Sequence, residues 1–214
     1  PMGWVDTRPR NQMLTDSNLF KVMSLAGNLV YGTTSTSANI HSHYVTSASE
    51  DWTAYEFRGR MRISHPDGGI GVTVLSQYPN EDAYYRLRRA KGSTTAAFHM
   101  SPHPEGRVVS CTAGKTSVVP VANLWYRFRM QAIAETGRTV VRSKVWSDGA
   151  AEPSAWQIDC ADTSAERLGA GVPGLWSMGP GEKYWDDLQV VDVDGATTAP
   201  QPPGAPDAPI LLGP

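Results

Sequence analysis

The chain has 214 residues, 40% hydrophobic and 19% charged, with a formal net charge of −2. This is enough apolar content for one sizeable core, and the charge balance, with a pI near 6.2 and no Lys/Arg cluster in the loops, argues against a surface that tracks nucleic-acid phosphates. With 20 Gly, 16 Pro, 7 Trp and 8 Tyr the composition favours turns and strands, and no apolar run approaches the roughly 20 residues that cross a bilayer.

Taken in chain order, the start PMGWVDTRPR lacks the basic and apolar regions of a signal peptide, and residues 1–12 read as an N-terminal arm. LFKVM (19–23), NLVYGTT (28–34) and IHSHYVT (40–46) read as short strands. In YEFRGRMRI (55–63) the apolar Tyr55, Phe57, Met61 and Ile63 alternate with Glu56, Arg58, Arg60 and Arg62, the period of a strand with one buried face. HPDGG closes it as a turn. Further strands are expected at IGVTVLSQY (70–78), AYYRLRRA (83–90), TTAAFHM (94–100), GRVVSCT (106–112), LWYRFRMQAI (124–133) and TVVRSKVW (139–146), and then at WQIDC (156–160), GLWSM (174–178) and KYWDDLQVV (183–191). Turns such as SPHPEG, ETGR and SDGAAEP separate them, the spacing of an all-β sandwich or barrel. One helical turn is expected at DTSAERLG (162–169), capped by Asp162. The domain spans 13–194, and the Pro/Ala/Gly-rich 195–214 reads as a linker or anchoring tail. Cys111 and Cys160 are too few for a disulfide scaffold and lack CxxC spacing. They read either as a bridge between neighbouring strands or as two buried thiols.

WYRFRMQAI, TVVRSKVWSDGAAEPSAWQIDCADTS, GAGVPGLWS and KYWDDLQV, in that order, resemble the concanavalin A-like (laminin-G-like) jelly rolls. The likeness is to those of minor tail proteins of actinobacterial phages and of secreted bacterial polysaccharide-acting proteins. It covers the second half of the chain, with DAYYRLR its one specific piece in the first. The resemblance implies an all-β, two-sheet antiparallel jelly-roll sandwich. It also implies one structural Ca²⁺ held by Asp186 in the last strand, for which Asp16, Asn18 and Asn28 are candidate partners.

Catalytic patterns are absent. A retaining glucanase on this fold needs carboxylates at alternate strand positions, about 5 Å apart. Glu50 with Asp51, Glu81 with Asp82, and Asp186 with Asp187 are adjacent pairs, expected to point to opposite faces. In the last strand that puts Tyr184, Asp186, Leu188 and Val190 on one face and Trp185, Asp187 and Gln189 on the other. There is no P-loop, GxSxG or HExxH. His41 with His43, and His99 with His103, read as a polar strand face and a loop rather than metal ligands. An enzyme acting on polysaccharide is therefore the third reading.

Parity identifies a candidate binding face. Arg58, Arg60 and Arg62, then Tyr84, Arg86 and Arg88, then Trp125, Arg127, Arg129 and Gln131, then Arg142, Lys144 and Trp146 all point away from the predicted core. Nine of the 19 Lys and Arg residues therefore point away from the predicted core on these four strands. If the strands are neighbours, Tyr84, Arg86, Arg88, Trp125, Arg127, Arg129, Lys144 and Trp146 form a basic, aromatic-edged surface suited to sugars. If they divide between two sheets, the surface splits. The bland alternative is a solvated face whose arginines pair with Glu56 and similar acids. The expected function is a non-catalytic module that recognises host-surface or polysaccharide glycans, on a phage virion or an extracellular bacterial protein. The alternative is a structural virion module whose same face contacts other subunits or a second copy. Neither nucleic acid nor membrane insertion is expected.

Overall fold

The computed structural model of the chain describes residues 3–13, 19–47, 49–92, 94–107 and 109–193. Fifteen strands form two antiparallel sheets among the described residues. In chain order they are β1 (Trp4–Arg8), β2 (Gln12–Met13), β3 (Lys21–Leu25), β4 (Asn28–Thr33), β5 (Ile40–Tyr44), β6 (Ala54–Ile63), β7 (Gly69–Ser76), β8 (Tyr85–Arg89), β9 (His99–Met100), β10 (Ser110–Ala113), β11 (Tyr126–Glu135), β12 (Arg138–Ser147), β13 (Ile158–Asp162), β14 (Val172–Met178) and β15 (Lys183–Asp192). One sheet runs β2-β1-β5-β14-β7-β8-β9, and the other β10-β13-β12-β11-β6-β15-β4-β3.

The alternation read from the sequence sets the core. Tyr55, Phe57, Met61 and Ile63 of β6 and Tyr126, Phe128 and Met130 of β11 face inward to meet Val72, Val74, Leu87 and Leu175 from the other sheet. Phe57 and Phe128 pack edge to face at 5.5 Å. The tyrosines keep their hydroxyls bonded inside. Tyr55 donates to Gly171 O at 3.1 Å and Tyr85 to Asp162 Oδ2 at 2.7 Å. Asp162 also accepts the Ser164 amide at 2.9 Å, so the expected helical turn at 162–169 is a capped bend and not a helix.

One boundary differs from the sequence reading. Within the expected arm 1–12, β1 and the first residue of β2 belong to the seven-stranded sheet. β1 adds to β5 with Trp4 opposite Tyr44, and Trp4 packs on Tyr31 at 5.3 Å, so the first strand buries an indole in the core. The two cysteines are bonded: Cys111 of β10 faces Cys160 of β13 and the pair spans 49 residues. The tail 195–214, and Asp16 and Asn18 of the expected calcium set, lie outside the described residues.

The last strand departs from strict period two. Asp186 faces Arg60 and Gln189 faces Arg58, so Asp187 and Leu188 together oppose Gly59 in a β-bulge, with Asp187 at φ 54°. This re-phases the strand: Trp185 and Leu188 are buried in the core, while Asp186 and Gln189 share the outer face. A side chain at Gly59 has no room, because a Cβ there would lie 2.9 Å from both Asp186 O and Leu188 Cδ2.

Gly59→Ala should therefore cost about 1–3 kcal/mol by overpacking, read as a lower urea midpoint with an unchanged slope; an unchanged midpoint would mean that the bulge tolerates a Cβ. Removing the bridge with Cys111→Ser and Cys160→Ser should lower unfolding stability by roughly 2–4 kcal/mol, with the strand content retained by circular dichroism.

Candidate functional site

On the outer face of the eight-stranded sheet, register sets Arg60 opposite Arg127, Arg58 opposite Arg129, and Arg129 opposite Lys144. Like charges directly opposed across a ladder repel, and carboxylates are interleaved among them. Asp148, just after β12, accepts from Arg127 Nε at 2.7 Å and from Arg60 at 3.1 Å. Glu56 takes Arg129 in a two-point fork of 2.8 and 2.6 Å. Glu152 accepts from Arg129 at 2.7 Å and from Lys144 Nζ at 2.9 Å. Asp186 and Asp187 of the bulge reach Arg60 at 2.6 and 3.3 Å. The adjacent aspartates thus converge on one guanidinium instead of pointing apart. Partial burial pushes the Asp148 and Glu152 carboxyls up, but hydrogen bonds from Arg127 and Arg60 on one, and from Lys144 and Arg129 on the other, outweigh it and hold both below the ordinary carboxylate range. Trp125 lies 4.9 Å from the Arg60 guanidinium, and Trp156 packs against Arg129 and Lys144 at 5.7 and 5.0 Å.

The bulge also opens a groove. β4 pairs with β15 only from Lys183 to Trp185, and beyond the bulge the β3–β4 hairpin and the sheet part. Between them is a cavity of about 730 Å³ bordered by Arg58, Arg127, Arg129, Glu152, Asp187 and Trp146. Counting Asp186, three guanidinium groups and three carboxylates line it, so it is charge-balanced rather than basic.

Asp186 does not fit a Ca²⁺ site. Its carboxylate accepts from Arg60, from Asn28 Nδ2 at 2.8 Å and from the Asp187 amide at 2.9 Å. Those donors stand where a cation would need oxygens. No group of three or more His, Cys, Asp or Glu placed to hold a metal occurs among the described residues.

Tyr84, Arg86 and Arg88 are elsewhere. β8 belongs to the seven-stranded sheet, so the predicted surface splits: Trp125, Arg127, Arg129, Lys144 and Trp146 share one face and Tyr84, Arg86 and Arg88 the opposite one. The second face is a buried polar layer. His41 and His43 stack at 5.4 Å, His43 stacks on Tyr78 at 4.8 Å, and Tyr84 stacks on His103 at 5.0 Å. His43 is placed by Thr7 Oγ1 at 3.0 Å and Ser76 Oγ at 3.2 Å, whereas neither ring nitrogen of His41 has a partner among the described residues. Asn39 Oδ1 accepts from Trp176 Nε1 at 2.6 Å and Arg86 at 3.1 Å. The sequence reading did not select Asn39, Ser101 or Trp176 for this face, nor Asp187, Gln189 or Glu152 for the groove. The Asp186–Asp187 doublet was the available signal for the groove, but period-two counting cannot place a bulge.

No family model matches the chain, and no curated protein matches it. Solved structures do. A Bacillus subtilis protein of unknown function with a galectin-like fold aligns with a TM-score of 0.55 at 10% identity, over 81% of this chain and 86% of that one. The exoplasmic/lumenal domain of VIP36, in a Ca²⁺/Man-bound form, gives 0.49 at 10% identity over 90% and 84%. The catalytic domain of a glycoside hydrolase family 131 protein from Coprinopsis cinerea gives 0.46 at 13% identity over 79% and 72%. The chain has the concanavalin A-like jelly-roll fold. At these identities the likeness carries the fold and no site residue.

Burial holds the His43 imidazole down at about 3, and His41 well below its ordinary value, where His43, Arg86 and His103 add to the effect of burial. Unfolded histidines bind protons near 6.5 while these folded ones do not, so stability is full above that pH and falls as pH drops toward 3. Between pH 6.5 and 5, above the range where carboxylates titrate, the melting temperature should fall. His41→Phe should reduce the slope of stability against pH by up to about 1.4 kcal/mol per unit. An unchanged slope would show that His41 is protonated in the fold.

Proposed function

We propose that this chain is a carbohydrate-binding jelly-roll module of a virion or secreted bacterial protein, which takes a host-surface or polysaccharide glycan into the groove beside β15 and performs no chemistry on it. The observation that carries this reading is the charge-balanced lining: Arg58, Arg127 and Arg129 alternate with Glu152, Asp186 and Asp187 beside Trp146. Sugar hydroxyls both donate and accept, so alternating forks and carboxylates match them, and an indole offers an apolar ring to the apolar face of a pyranose. A uniformly basic groove would favour anions instead. The non-catalytic part is supported by the state of the acids. A general acid near neutrality needs a raised pKa, whereas Glu152 is held low by Lys144 and Arg129, and Asp186 and Asp187 are committed to Arg60. The Cys111–Cys160 bridge supports an extracellular or virion setting, because such bonds persist in oxidising surroundings.

A glycan array with the whole chain tests the reading. Saturable binding to neutral cell-wall or surface glycans is expected, weakened on the order of tenfold or more by Trp146→Ala and by Arg127→Ala, with melting temperatures near the parent's. Absence of binding to every glycan, together with a defined oligomer in sedimentation that Trp146→Ala dissociates, would replace it with the structural, subunit-contacting role.

A further inference from the structure

The opposite face has a different charge account. Arg86 is 2% exposed, with its guanidinium 4.6 Å from the Trp176 ring. Its terminal nitrogens meet only neutral acceptors: Asn39 Oδ1 at 3.1 Å, Tyr84 OH at 3.2 Å and Ser101 Oγ at 3.1 Å. Its Nε is buried and unpartnered among the described residues. Arg88 lies two residues along the same strand face, 5.5 Å from the same indole, also with a buried and unpartnered Nε. The Arg88 side chain makes no hydrogen bond or ion pair among the described residues. Nearby acids do not compensate. Asp82 is held by His103 at 3.3 Å and by the Arg10 amide at 2.7 Å, and exposed Glu105 acts on both arginines only through space. The groove arginines Arg58, Arg127 and Arg129, by contrast, each have a carboxylate within 4 Å.

Two guanidinium groups side by side, one buried, with no carboxylate in contact among the described residues and only the distant charges of Glu105 and Asp82 to offset them, are costly unless an anion completes them. Burial lowers Arg86 to about 10 and Arg88 below its ordinary value, so both stay charged at neutral pH while poorly solvated. Arg88 and His99, opposite each other across β8 and β9, are only half-buried and leave the pair open on that side.

We propose that Arg86 and Arg88, with Ser101 and His99 at their side, form an oxyanion site for the carboxylate or sulfate group of an acidic saccharide. The terminal nitrogens of Arg88 form a planar fork that matches either oxyanion; Arg86, whose Nη1 hydrogens are given to Asn39 and Tyr84, adds its charge and one remaining Nη2 hydrogen, and Ser101 can donate its hydroxyl to the ligand while accepting from Arg86. The site lies on the other side of the sandwich from the groove. It rests on the carbohydrate-binding reading for the ligand's scaffold but not for the charge, which inorganic sulfate probes alone.

Titration calorimetry of the whole chain at constant ionic strength would use four probes: a galacturonate tetrasaccharide, the same tetrasaccharide with its carboxyls reduced, a sulfated tetrasaccharide and inorganic sulfate. Binding to the galacturonate or the sulfated probe is expected, with the carboxyl-reduced sugar at least about tenfold weaker than its parent if the site reads carboxylates. Arg88→Ala should weaken acidic-probe binding at least tenfold and Arg88→Lys less, with melting temperatures near the parent's, while Trp146→Ala in the groove leaves it unchanged. Preference for galacturonate identifies carboxylate as the source, and preference for the sulfated probe identifies sulfate. Sulfate binding lost in Arg88→Ala, with no saccharide bound, keeps the anion site and sinks its saccharide scaffold. Equal binding of the acid and reduced sugars without any response to sulfate or the sulfated probe, acidic binding lost in Trp146→Ala but kept in Arg88→Ala, or no binding of any anion would each overturn the proposal.

Discussion

Arginine set against arginine across β6 and β11 is the constraint around which the outer face of the eight-stranded sheet is organised. The core requires Phe57, Met61, Tyr126 and Phe128 to face inward, and the antiparallel register then leaves Arg58 opposite Arg129 and Arg60 opposite Arg127. Such a column of charge is tolerable only with acids between its members. Glu56 supplies one from within β6, and Asp148 and Glu152 supply two from the segment after β12. The bulge in β15 adds Asp186 and Asp187 to Arg60.

The same bulge links packing to function. It needs a glycine at position 59 and places Leu188 in the core. It also leaves β15 and the β3–β4 hairpin apart over the stretch that becomes the groove. Pairing Arg60 and opening a cavity beside its neighbours are therefore two results of one local irregularity. What remains exposed is a mosaic of donors and acceptors rather than a positive field.

The seven-stranded face solves the opposite problem. Gly71 and Gly174 leave no side chain there, since a Cβ on either would come within 2.6 Å of a neighbouring atom, and the histidines, Tyr84 and Arg86 fill the layer. Stacked rings and shared neutral acceptors such as Asn39 hold these polar groups together. Neutral histidines meet burial without a counter-ion, whereas arginines cannot shed their charge. The two faces thus differ in electrostatic character although strands of similar composition build both.

Period-two alternation in YEFRGRMRI and LWYRFRMQAI determined that these segments are strands and which of their residues enter the core, because burial on one face is a local property of the chain. The jelly-roll class was what the resemblance of the second half implied, whereas the outward position of Arg127, Arg129, Lys144 and Trp146 follows from the same local rule. Three matters were beyond it. Assignment of β8 to the other sheet, which separates Tyr84, Arg86 and Arg88 from the rest, depends on strand order, and alternation carries no information about order. The bulge at Asp187 is a two-against-one fit to Gly59 of another strand, 128 positions away, so the face each aspartate takes is a property of the pair and not of KYWDDLQV. Charge compensation depends on which acids the loops deliver to which arginines, and the sequence by itself determined only how many of each there are.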